Sequence, residues 1–291
     1  MSTYLDILKS ILLHPANSKN QINAVIRVIK YRLAIFLKKK AIYIPAFGYK
    51  MKLYLDAEFS RSYVYFTAHK NYELMNFIKK YLRPGDAFID IGANVGVYTL
   101  LAASLVGKTG TIDSFEPVPS TFKRLQENIN LNLISFAKLH PYALGENSSL
   151  ISFTSDLDEV NHAVIFRENE TYESKKLIEV QCHPIEEILP STKSYAMAKI
   201  DVEGLELSVL KGATQMLSQH NPPVLALEIN GSSERYNHSA SDIINFLNKY
   251  DYHPVIYDVK TNSLSFDFEI WDDVLFIHRE FIDFVVDRIK K

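Results

Sequence analysis

The chain has 291 residues, of which 47% are hydrophobic and 23% charged, enough apolar material for a sizeable packed core. Its single cysteine, Cys182, excludes an intrachain disulfide framework and a multi-cysteine metal site. The net charge is −2, but the first forty residues hold eight Lys or Arg against one acid, so about +7 there faces about −9 in the remainder.

The sequence contains no stretch of the roughly 18 to 20 consecutive apolar residues that a membrane-spanning helix needs. The most apolar candidate, 25–37, is interrupted by Arg27, Lys30 and Arg32. The segment 5–13 does not resemble a secretory signal, because it is short and charged and precedes no cleavage pattern. We therefore expect a soluble, cytoplasmic protein, and peripheral contact with a membrane stays open.

Two helices are predicted at the N-terminus, over 3–14 and 21–39, and strand-like alternation follows over 42–55. The second helix carries basic residues between its apolar positions. Such a helix commonly packs on its own protein with the basic face in solvent, but it can also lie on an anionic membrane or a partner. Residues 1–70 are predicted to form an N-terminal extension, and residues 1–40 are the part that could contact a membrane.

From residue 71 onwards helical and strand patterns alternate. Helices are predicted over 71–82, 97–106, 121–131, 205–220 and 239–250, and strands over 87–91, 110–115, 136–140, 195–200 and 224–229. Short connections in such an alternation favour parallel strands joined by right-handed crossovers. Residues 254–259 and 274–278 are expected to form a closing hairpin that adds an antiparallel edge strand. Residues 71–291 are the predicted main domain.

Residues 145–185 interrupt this alternation. Short strands are predicted over 150–154, 164–167 and 177–182, and acidic polar loops link them. We interpret the segment as a β-rich flap or insertion in the main domain, and not as a further crossover unit.

A glycine-containing turn follows the first strand of the main domain, in Asp90-Ile-Gly92-Ala-Asn94-Val-Gly96. Its glycines let the backbone turn tightly and approach a ligand, and the next helix offers unpaired N–H groups to a polar ligand end. A dinucleotide fingerprint needs G-x-G-x-x-G spacing, whereas Gly92 and Gly96 are four apart, which disfavours a pyrophosphate cradle. Asp90 stands in an apolar strand, where a carboxylate is costly without a donor partner.

An acidic residue ends the second strand. Glu116, followed by Pro117, comes twenty residues after Gly96, and a carboxylate there can accept hydrogen bonds from both hydroxyls of a ribose. The alternative is a cap for the next helix, which Ser120 or Thr121 could supply equally well.

Three carboxylates fall within six residues at the end of a later strand, in Asp201-Val-Glu203-Gly204-Leu-Glu206. Clustered acids repel one another unless they bind a cation, bind a donor-rich substrate or share a proton. Asp201 and Glu203 point the same way if the strand geometry persists, and we assign function to them. Glu206 stands in the first helical turn, where the helix dipole favours an acid, and is given a structural role. Glu228 ends the adjacent strand and is expected to converge on the same cleft.

In combination, these segments resemble the FkbM family of S-adenosylmethionine-dependent methyltransferases, over roughly residues 72–278. The resemblance rests on Tyr72-Glu73, Pro84-Gly85-Asp86, 89–96, Phe115-Glu116-Pro117, 128–132, Ala143-Leu-Gly145, Lys199-Ile-Asp-Val-Glu-Gly204, Val209-Leu-Lys-Gly-Ala213 and Leu227-Glu228. It implies a class I, Rossmann-like α/β fold with a seven-stranded, mostly parallel sheet and one antiparallel strand. It also implies S-adenosylmethionine as the cofactor and a hydroxyl of a sugar, glycan, glycolipid or natural product as the methyl acceptor.

The resemblance further implies roles for individual residues. The loop from Asp90 to Gly96 would wrap the methionine part of the cofactor, Glu116 would bind its ribose, and the segment around Tyr142 and Ala143 would border its adenine. The expected cofactor-binding residues are Glu73, Asp90, Gly92, Ala93, Asn94, Gly96, Glu116, Pro117, Tyr142, Ala143 and Asp201.

Catalysis is assigned to Asp201, Glu203 and Glu228. Asp201 or Glu203 would act as the base or hold the acceptor hydroxyl, and Glu228 would be a second carboxylate. A divalent metal is not predicted, but if one were bound these three residues would be its ligands. The chain departs from the family in having Asn230 where His is frequent, which leaves the acceptor site open.

Two other functions stay open. A nicotinamide-dependent oxidoreductase would share the fold logic but lacks the glycine spacing, and a non-catalytic module would keep the cofactor pocket without turnover. Nucleic-acid methylation is disfavoured, because the chain beyond residue 40 is net acidic and would oppose phosphate binding. The oligomeric state is not indicated by the sequence.

Overall fold

A central eight-stranded sheet with helices on both faces organises the protein. The computed structural model describes residues 9, 11–14, 17, 21–56, 60, 63–64, 71–155, 161–164, 176–267 and 273–290. The strands are β1 (Ala41–Ala46), β2 (Tyr49–Tyr54), β3 (Ala87–Ile91), β4 (Thr111–Phe115), β5 (Ala137–His140), β6 (Ala143–Leu144), β7 (Ser149–Thr154), β8 (Leu177–His183), β9 (Met197–Ile200), β10 (Val224–Glu228), β11 (Tyr252–Asp258), β12 (Ser263–Ser265) and β13 (Asp273–His278).

The helices pack on the two faces of this sheet. They are α1 (Gln21–Phe36), α2 (Tyr72–Tyr81), α3 (Val97–Val106), α4 (Pro119–Leu131), α5 (Ile185–Ile188), α6 (Glu206–Lys211), α7 (Thr214–Ser218), α8 (Ala240–Asn248) and α9 (Ile282–Lys290). Helices α2, α3, α4 and α9 share one hydrophobic cluster, while α6, α7 and α8 share a second one on the opposite face. No helix of the described part of the chain is long and apolar enough to cross a membrane.

The order of strands in the central sheet is β12-β11-β13-β10-β9-β3-β4-β5. Strands β5, β4, β3, β9 and β10 pair in parallel, and β13 pairs antiparallel with both β10 and β11. The chain proceeds outwards from β3 to β5 and then returns to the other side of β3 as β9, so the boundary between β3 and β9 is the topological switch point. The expected class I, mostly parallel α/β arrangement is confirmed.

The end of the sheet differs from the closing hairpin expected from the sequence. Strand β13 lies between β10 and β11, so the antiparallel strand is internal and not at the edge. Its residues are buried almost throughout, and such a strand is stable only with neighbours on both sides. The edge is instead β12, a short strand that the sequence did not predict, which brings the sheet to eight strands.

The prediction of a single helix over 205–220 is also wrong. The structure has two short helices, α6 and α7, with a break at Gly212. The backbone of Gly212 packs directly on Gly145, since a Cβ placed on Gly212 would come within 2.0 Å of the Gly145 carbonyl oxygen. We attribute the break to this backbone contact, which a side chain would prevent.

The N-terminal part agrees with the prediction where it is described. The helix expected over 3–14 lies mostly outside the described residues, whereas α1 matches the second predicted helix and ends at Phe36, just before Lys38 takes a left-handed φ of 51°. The hairpin β1–β2 packs on α4, where the side-chain Oδ1 of Asn128 accepts the Lys52 N–H at 2.7 Å. The hairpin therefore shares the main hydrophobic core with α2 and α4.

A three-stranded sheet of order β6-β8-β7 forms the described part of the β-rich segment. Of the strand expected over 164–167, residues 165–167 lie outside the described residues, and Ala163 makes a single bridge to Phe153. One face of this small sheet packs against Tyr236 and Val118, so it stands beside the carboxyl ends of the central strands.

Candidate active site

The two chemistry-bearing segments of the sequence meet in one cavity at the carboxyl ends of β3, β4, β9 and β10. Parallel neighbouring strands end at the same edge of the sheet, which is where an open α/β fold forms its ligand sites. The predicted site residues that line the cavity are Gly92, Ala93, Asn94, Glu116, Pro117, Tyr142, Ala143, Asp201, Glu203 and Glu228.

Three other predicted residues are not in the cavity wall. Asp90 lies next to it, fully buried, where Thr99 Oγ1 donates a hydrogen bond to Asp90 Oδ2 at 2.6 Å. Asp90 Oδ1 has no hydrogen-bond partner among the described residues, and burial raises the pKa of this carboxyl. Gly96 precedes α3 with a φ of 96°, and Glu73 is exposed on α2.

Gly92 joins the two segments at the topological switch point. A Cβ on this residue would come within 1.8 Å of the Asp201 carbonyl oxygen, and its φ of 78° already favours glycine. The Asp201 N–H in turn donates to the Ile91 carbonyl oxygen at 3.0 Å. The turn after β3 and the turn after β9 are therefore in direct backbone contact.

The Glu116 carboxylate is held by the backbone of its own surroundings. Its Oε2 accepts the Asn94 N–H at 3.1 Å and its Oε1 accepts the Val118 N–H at 2.9 Å. Burial raises the pKa of Glu116 to about 7, although the two backbone hydrogen bonds act in the opposite direction. Each oxygen keeps acceptor capacity towards the cavity, because a carboxylate offers about four lone-pair sites.

Lys199 is a buried cation beside the acidic cluster. Its Nζ donates to Asp201 Oδ2 at 2.6 Å and lies 4.6 Å from the centre of the Tyr98 ring. Burial alone would lower the pKa of Lys199, but Asp201 and Asp90 outweigh it and raise this pKa, so the ammonium group stays charged.

Glu228 makes a side-chain hydrogen bond with Asp201. Burial, and then the charge of Asp201, raise the pKa of Glu228 well above the usual range of a carboxyl group. This shift favours the protonated form of Glu228, which can donate its proton in the hydrogen bond that it makes with Asp201. Asp201, Glu203 and Glu228 each bring a carboxylate oxygen within 4.8 Å of the other two.

Glu203 is held in an unusual conformation at the same edge. Its φ is 52°, which costs free energy for a residue with a side chain. The next residue, Gly204, packs so closely on Ser232 that a Cβ would lie 2.6 Å from the Ser232 carbonyl oxygen. Glu206 is buried and its Oε1 accepts the Val202 and Gly204 N–H groups, which agrees with a structural role.

Lys199 and Tyr98 line the cavity but were not among the residues predicted from the sequence. For Lys199 a signal existed, because a lysine within the otherwise apolar run of β9 needs an acidic partner, just as Asp90 needs a donor. For Tyr98 the sequence offers no signal, since an aromatic residue in an apolar helix is ordinary core.

Comparison with known proteins identifies the family. A model of the Methyltransferase FkbM domain matches residues 90–254, which is more than half of the chain. The chain belongs to the FkbM methyltransferase family. This membership confirms the resemblance and the cofactor predicted from the sequence, S-adenosylmethionine.

Individual relatives are more distant. The chain is 29% identical over 150 residues to Methyltransferase 1 of Beauveria bassiana, covering 44% of this chain and 59% of that protein. It is 30% identical over 141 residues to the hexuronic acid methyltransferase AglP of Haloferax volcanii, covering 47% of this chain and 53% of that protein. The chain thus spans little more than half the length of the curated relatives it matches. An FkbM methyltransferase crystal structure from Methylobacillus flagellatus shows 20% identity and a TM-score of 0.45, covering 76% of this chain and 55% of that one.

The cavity fits S-adenosylmethionine by the chemistry of its donors and acceptors. Glu116 keeps free acceptor positions of the kind that two ribose hydroxyls require, and the turn at Gly92 lets the backbone approach a ligand without a side chain in the way. The apolar residues Ile91, Phe115 and Leu144 also line the cavity and suit a flat aromatic ring.

Proposed function

We propose that the protein is an S-adenosylmethionine-dependent O-methyltransferase that acts on a hydroxyl group of a sugar, glycan, glycolipid or natural product. The observation that carries this proposal is the cluster of Asp201, Glu203 and Glu228, whose carboxylate oxygens lie within 4.8 Å of one another and which lines the same cavity as Glu116 and the turn at Gly92. A site that must hold a cofactor and also remove a proton from an alcohol needs both a cofactor-binding part and a carboxylate near the acceptor.

On the cofactor side, Glu116 would bind the ribose, the backbone from Gly92 to Gly96 would follow the methionine part, and Tyr142 with Ala143 would border the adenine. Bound there, S-adenosylmethionine supplies an electrophilic methyl group. Asp90, Gly96 and Glu73 belong to this assignment as well. Of these, Asp90 and Gly96 act through the shape of the turn, because they lie outside the wall, and Glu73 is the one on the exposed surface.

On the acceptor side, the hydroxyl proton would pass to Asp201 or Glu203 as the acceptor oxygen gains the methyl group. An alcohol is a poor nucleophile at neutral pH. A carboxylate that acts as a general base within hydrogen-bond reach of the hydroxyl raises the rate by about 10²–10⁴-fold. Lys199 holds Asp201 in place at 2.6 Å, and Glu228 enters protonated and donates to Asp201. Alignment of the acceptor against these groups contributes further.

The name of one relative supports a sugar acceptor. The Haloferax volcanii protein is a hexuronic acid methyltransferase. A sugar also matches the cavity edge, because several carboxylates close together suit a substrate with many hydroxyl donors.

The proposal is tested by incubating the protein with S-adenosylmethionine and pools of sugars, glycans and glycolipids, and following S-adenosylhomocysteine release together with a mass gain of one methylene group. We expect a methylated product from a hydroxylated acceptor. Tight binding of S-adenosylhomocysteine with no transfer to any acceptor would instead indicate a non-catalytic module. A rise in melting temperature with NAD and not with S-adenosylhomocysteine would indicate an oxidoreductase.

The base is tested by Asp201→Asn and Glu203→Gln. We expect at least one of them to lower kcat by about 10²–10⁴-fold, with cofactor affinity nearly unchanged. If both variants turn over normally with cofactor bound, the assignment of the base is wrong. A loss of turnover with EDTA that Mg²⁺ restores would indicate that Asp201, Glu203 and Glu228 hold a metal ion instead.

A further inference from the structure

Helix α1 presents a row of large apolar side chains to solvent. Its members stand at spacings of four and three residues and are between 42% and 81% exposed: Ile22, Ile26, Ile29, Leu33 and Phe36. Residues at these spacings lie along one face of a helix. One isolated exposed apolar residue is normal, but a contiguous row marks an interaction surface.

The opposite face of α1 already packs on the protein. Ala24, Tyr31 and Ala34 are buried there, and Arg27 donates to the Val64 carbonyl oxygen. The simplest expectation from the sequence is a packing helix with its basic side in solvent. That expectation would bury the aliphatic side chains, yet the structure buries two alanines and Tyr31 and exposes Ile22, Ile26, Ile29, Ile35, Leu33 and Phe36.

The surroundings of this apolar row are strongly basic. Between Asp6 and Asp56 the chain contains ten Lys or Arg and no Asp or Glu. Lys30 lies on α1, and three consecutive lysines, residues 38–40, are exposed directly after it. Apolar side chains on a helix beside basic ones match the interface of a bilayer with anionic headgroups. A second copy of the same helix would bring like charges together, and a nucleic acid would leave the apolar row unused.

The basic segment after α1 contacts the strand that leads to the cavity wall. The Lys40 carbonyl oxygen accepts the Leu55 N–H at 3.0 Å, and Asp56 pairs with Arg124 at 3.0 Å. Arg124 is one helical turn from Thr121, which lines the cavity. The segment after α1 is therefore connected to the cavity wall through β2 and α4, and an acceptor held at a membrane surface would suit this arrangement, a consequence that rests on the proposed function.

We propose that the exposed face of α1, defined by Ile22, Ile26, Ile29, Leu33 and Phe36 with the lysines at 38–40, binds the surface of an anionic lipid bilayer. The helix lies in the plane of the interface, its apolar row enters the boundary between headgroups and acyl chains, and the lysines contact the anionic headgroups.

The test is flotation of the full chain with vesicles of phosphatidylcholine containing phosphatidylglycerol, and with vesicles of phosphatidylcholine alone. We expect binding to the anionic vesicles that falls as salt is added. Replacement of the three lysines by Gln (Lys38→Gln, Lys39→Gln and Lys40→Gln) should lower the partition coefficient on the order of a hundredfold. The combination Ile29→Ser, Leu33→Ser and Phe36→Ser should abolish binding, because it removes the apolar row.

Matched controls carry the same changes on other exposed surfaces. They are Lys108→Gln, Lys249→Gln and Lys260→Gln for charge, and Leu150→Ser, Leu177→Ser and Phe284→Ser for apolar area. All variants are first compared by thermal unfolding and by affinity for S-adenosylhomocysteine, which need no membrane. If the wild type does not bind S-adenosylhomocysteine, the proposed function is contradicted, whereas the flotation result still tests membrane binding.

Three results would overturn the proposal. The first is failure of the wild type to float with anionic vesicles. The second is equal binding to both vesicle types, or equal loss in the control variants. The third is concentration-dependent dimerisation in sedimentation velocity, or binding to a duplex oligonucleotide, that the α1 variants abolish while flotation is absent.

Discussion

The two sides of the cavity satisfy their carboxylates in different ways. Glu116 accepts hydrogen bonds from the backbone N–H groups of Asn94 and Val118. Asp201 is instead held by side chains, the ammonium group of Lys199 and the carboxyl group of Glu228. Backbone donors cannot change their protonation, whereas a carboxyl pair can. On the side proposed to bind the cofactor the hydrogen-bond donors are therefore fixed, whereas on the side proposed to face the acceptor the donor itself can lose its proton.

The two sides depend on each other through Gly92, and Gly92→Ala is expected to have the largest effect. The added Cβ would meet the Asp201 carbonyl oxygen at 1.8 Å, so one of the two turns must move. We expect a loss of more than about 4 kcal/mol in the free energy of unfolding, or no cooperative folding at all. Denaturant unfolding followed by circular dichroism measures it.

Gly48→Ala is the matched control for this variant. Gly48 also has a positive φ, 84°, but a Cβ there would meet nothing within 4 Å. Only the backbone strain remains, about 1–2 kcal/mol. Equal losses in the two variants would show that the contact between the turns does not hold the two sides together.

Lys199→Met tests the side of the cavity on which side chains hold Asp201. Lys199 is only 2% exposed, and its removal leaves Asp201 without its cation. Breaking a buried pair from one side costs about 3–5 kcal/mol, so we expect a loss of this size at neutral pH, together with loss of turnover. The pKa of Asp90, already raised by burial, rises further without Lys199. The destabilisation should therefore shrink as the pH falls and Asp90 becomes protonated.

Lys193→Met provides the control, because Lys193 pairs with Asp113 at the same distance, 2.6 Å, away from the cavity. Asp113 keeps hydrogen bonds from His140 and Tyr195, so the loss of stability should be smaller and turnover at saturating substrate should stay near wild type. Loss of turnover in Lys193→Met equal to that in Lys199→Met would remove the special role given to Lys199.

Glu116→Ala tests the side of the cavity on which backbone N–H groups hold the carboxylate, and its effect should appear in cofactor affinity. At about pH 8 we expect affinity for S-adenosylhomocysteine to fall on the order of a hundredfold, since hydrogen bonds to a charged group are lost. Because the pKa of Glu116 is raised to about 7, wild-type affinity should increase as the pH rises through this value and the carboxylate forms. Isothermal titration calorimetry across this pH range measures both effects.

The control for this variant is Glu127→Ala, a residue of α4 that pairs with Lys52 on the surface. It should leave affinity unchanged at every pH. A wild-type affinity that is flat across the range, or an equal loss in Glu127→Ala, would contradict the proposed role of Glu116 at the ribose.

The same contrast explains what the sequence predicted. The turn at Gly92 and the acid at Glu116 are local features, because glycines and a strand-terminal acid stand within a few residues of the groups they serve. The strand order is different in kind. The position of β13 between β10 and β11, and the break at Gly212 against Gly145, depend on contacts between segments distant in sequence.

The acceptor side shows the limit most clearly. The sequence predicted that Asp201, Glu203 and Glu228 would converge, and they do. It did not predict that Glu228 would be protonated, because that depends on burial and on the approach of Asp201 across two strands. Lys199 was quoted in the sequence motif without a role, although a charge in a buried strand is itself a signal.

Glu228→Gln is expected to have the smallest effect and gives the sharpest test of the proton on this side. If Glu228 works as a protonated donor to Asp201, Gln can donate in its place, so kcat near neutral pH should change by less than about tenfold. The pKa of Glu228 is raised to about 9, so wild-type turnover should fall as the pH rises through this value and the carboxyl group loses its proton. The Gln variant should not show this fall. Glu228→Ala, which has no donor, should be slower than Glu228→Gln at every pH. The test is measurement of kcat against pH for the wild type and both variants. A Gln variant as inactive as the Ala variant would contradict the donor role and would mean that Glu228 acts as a base.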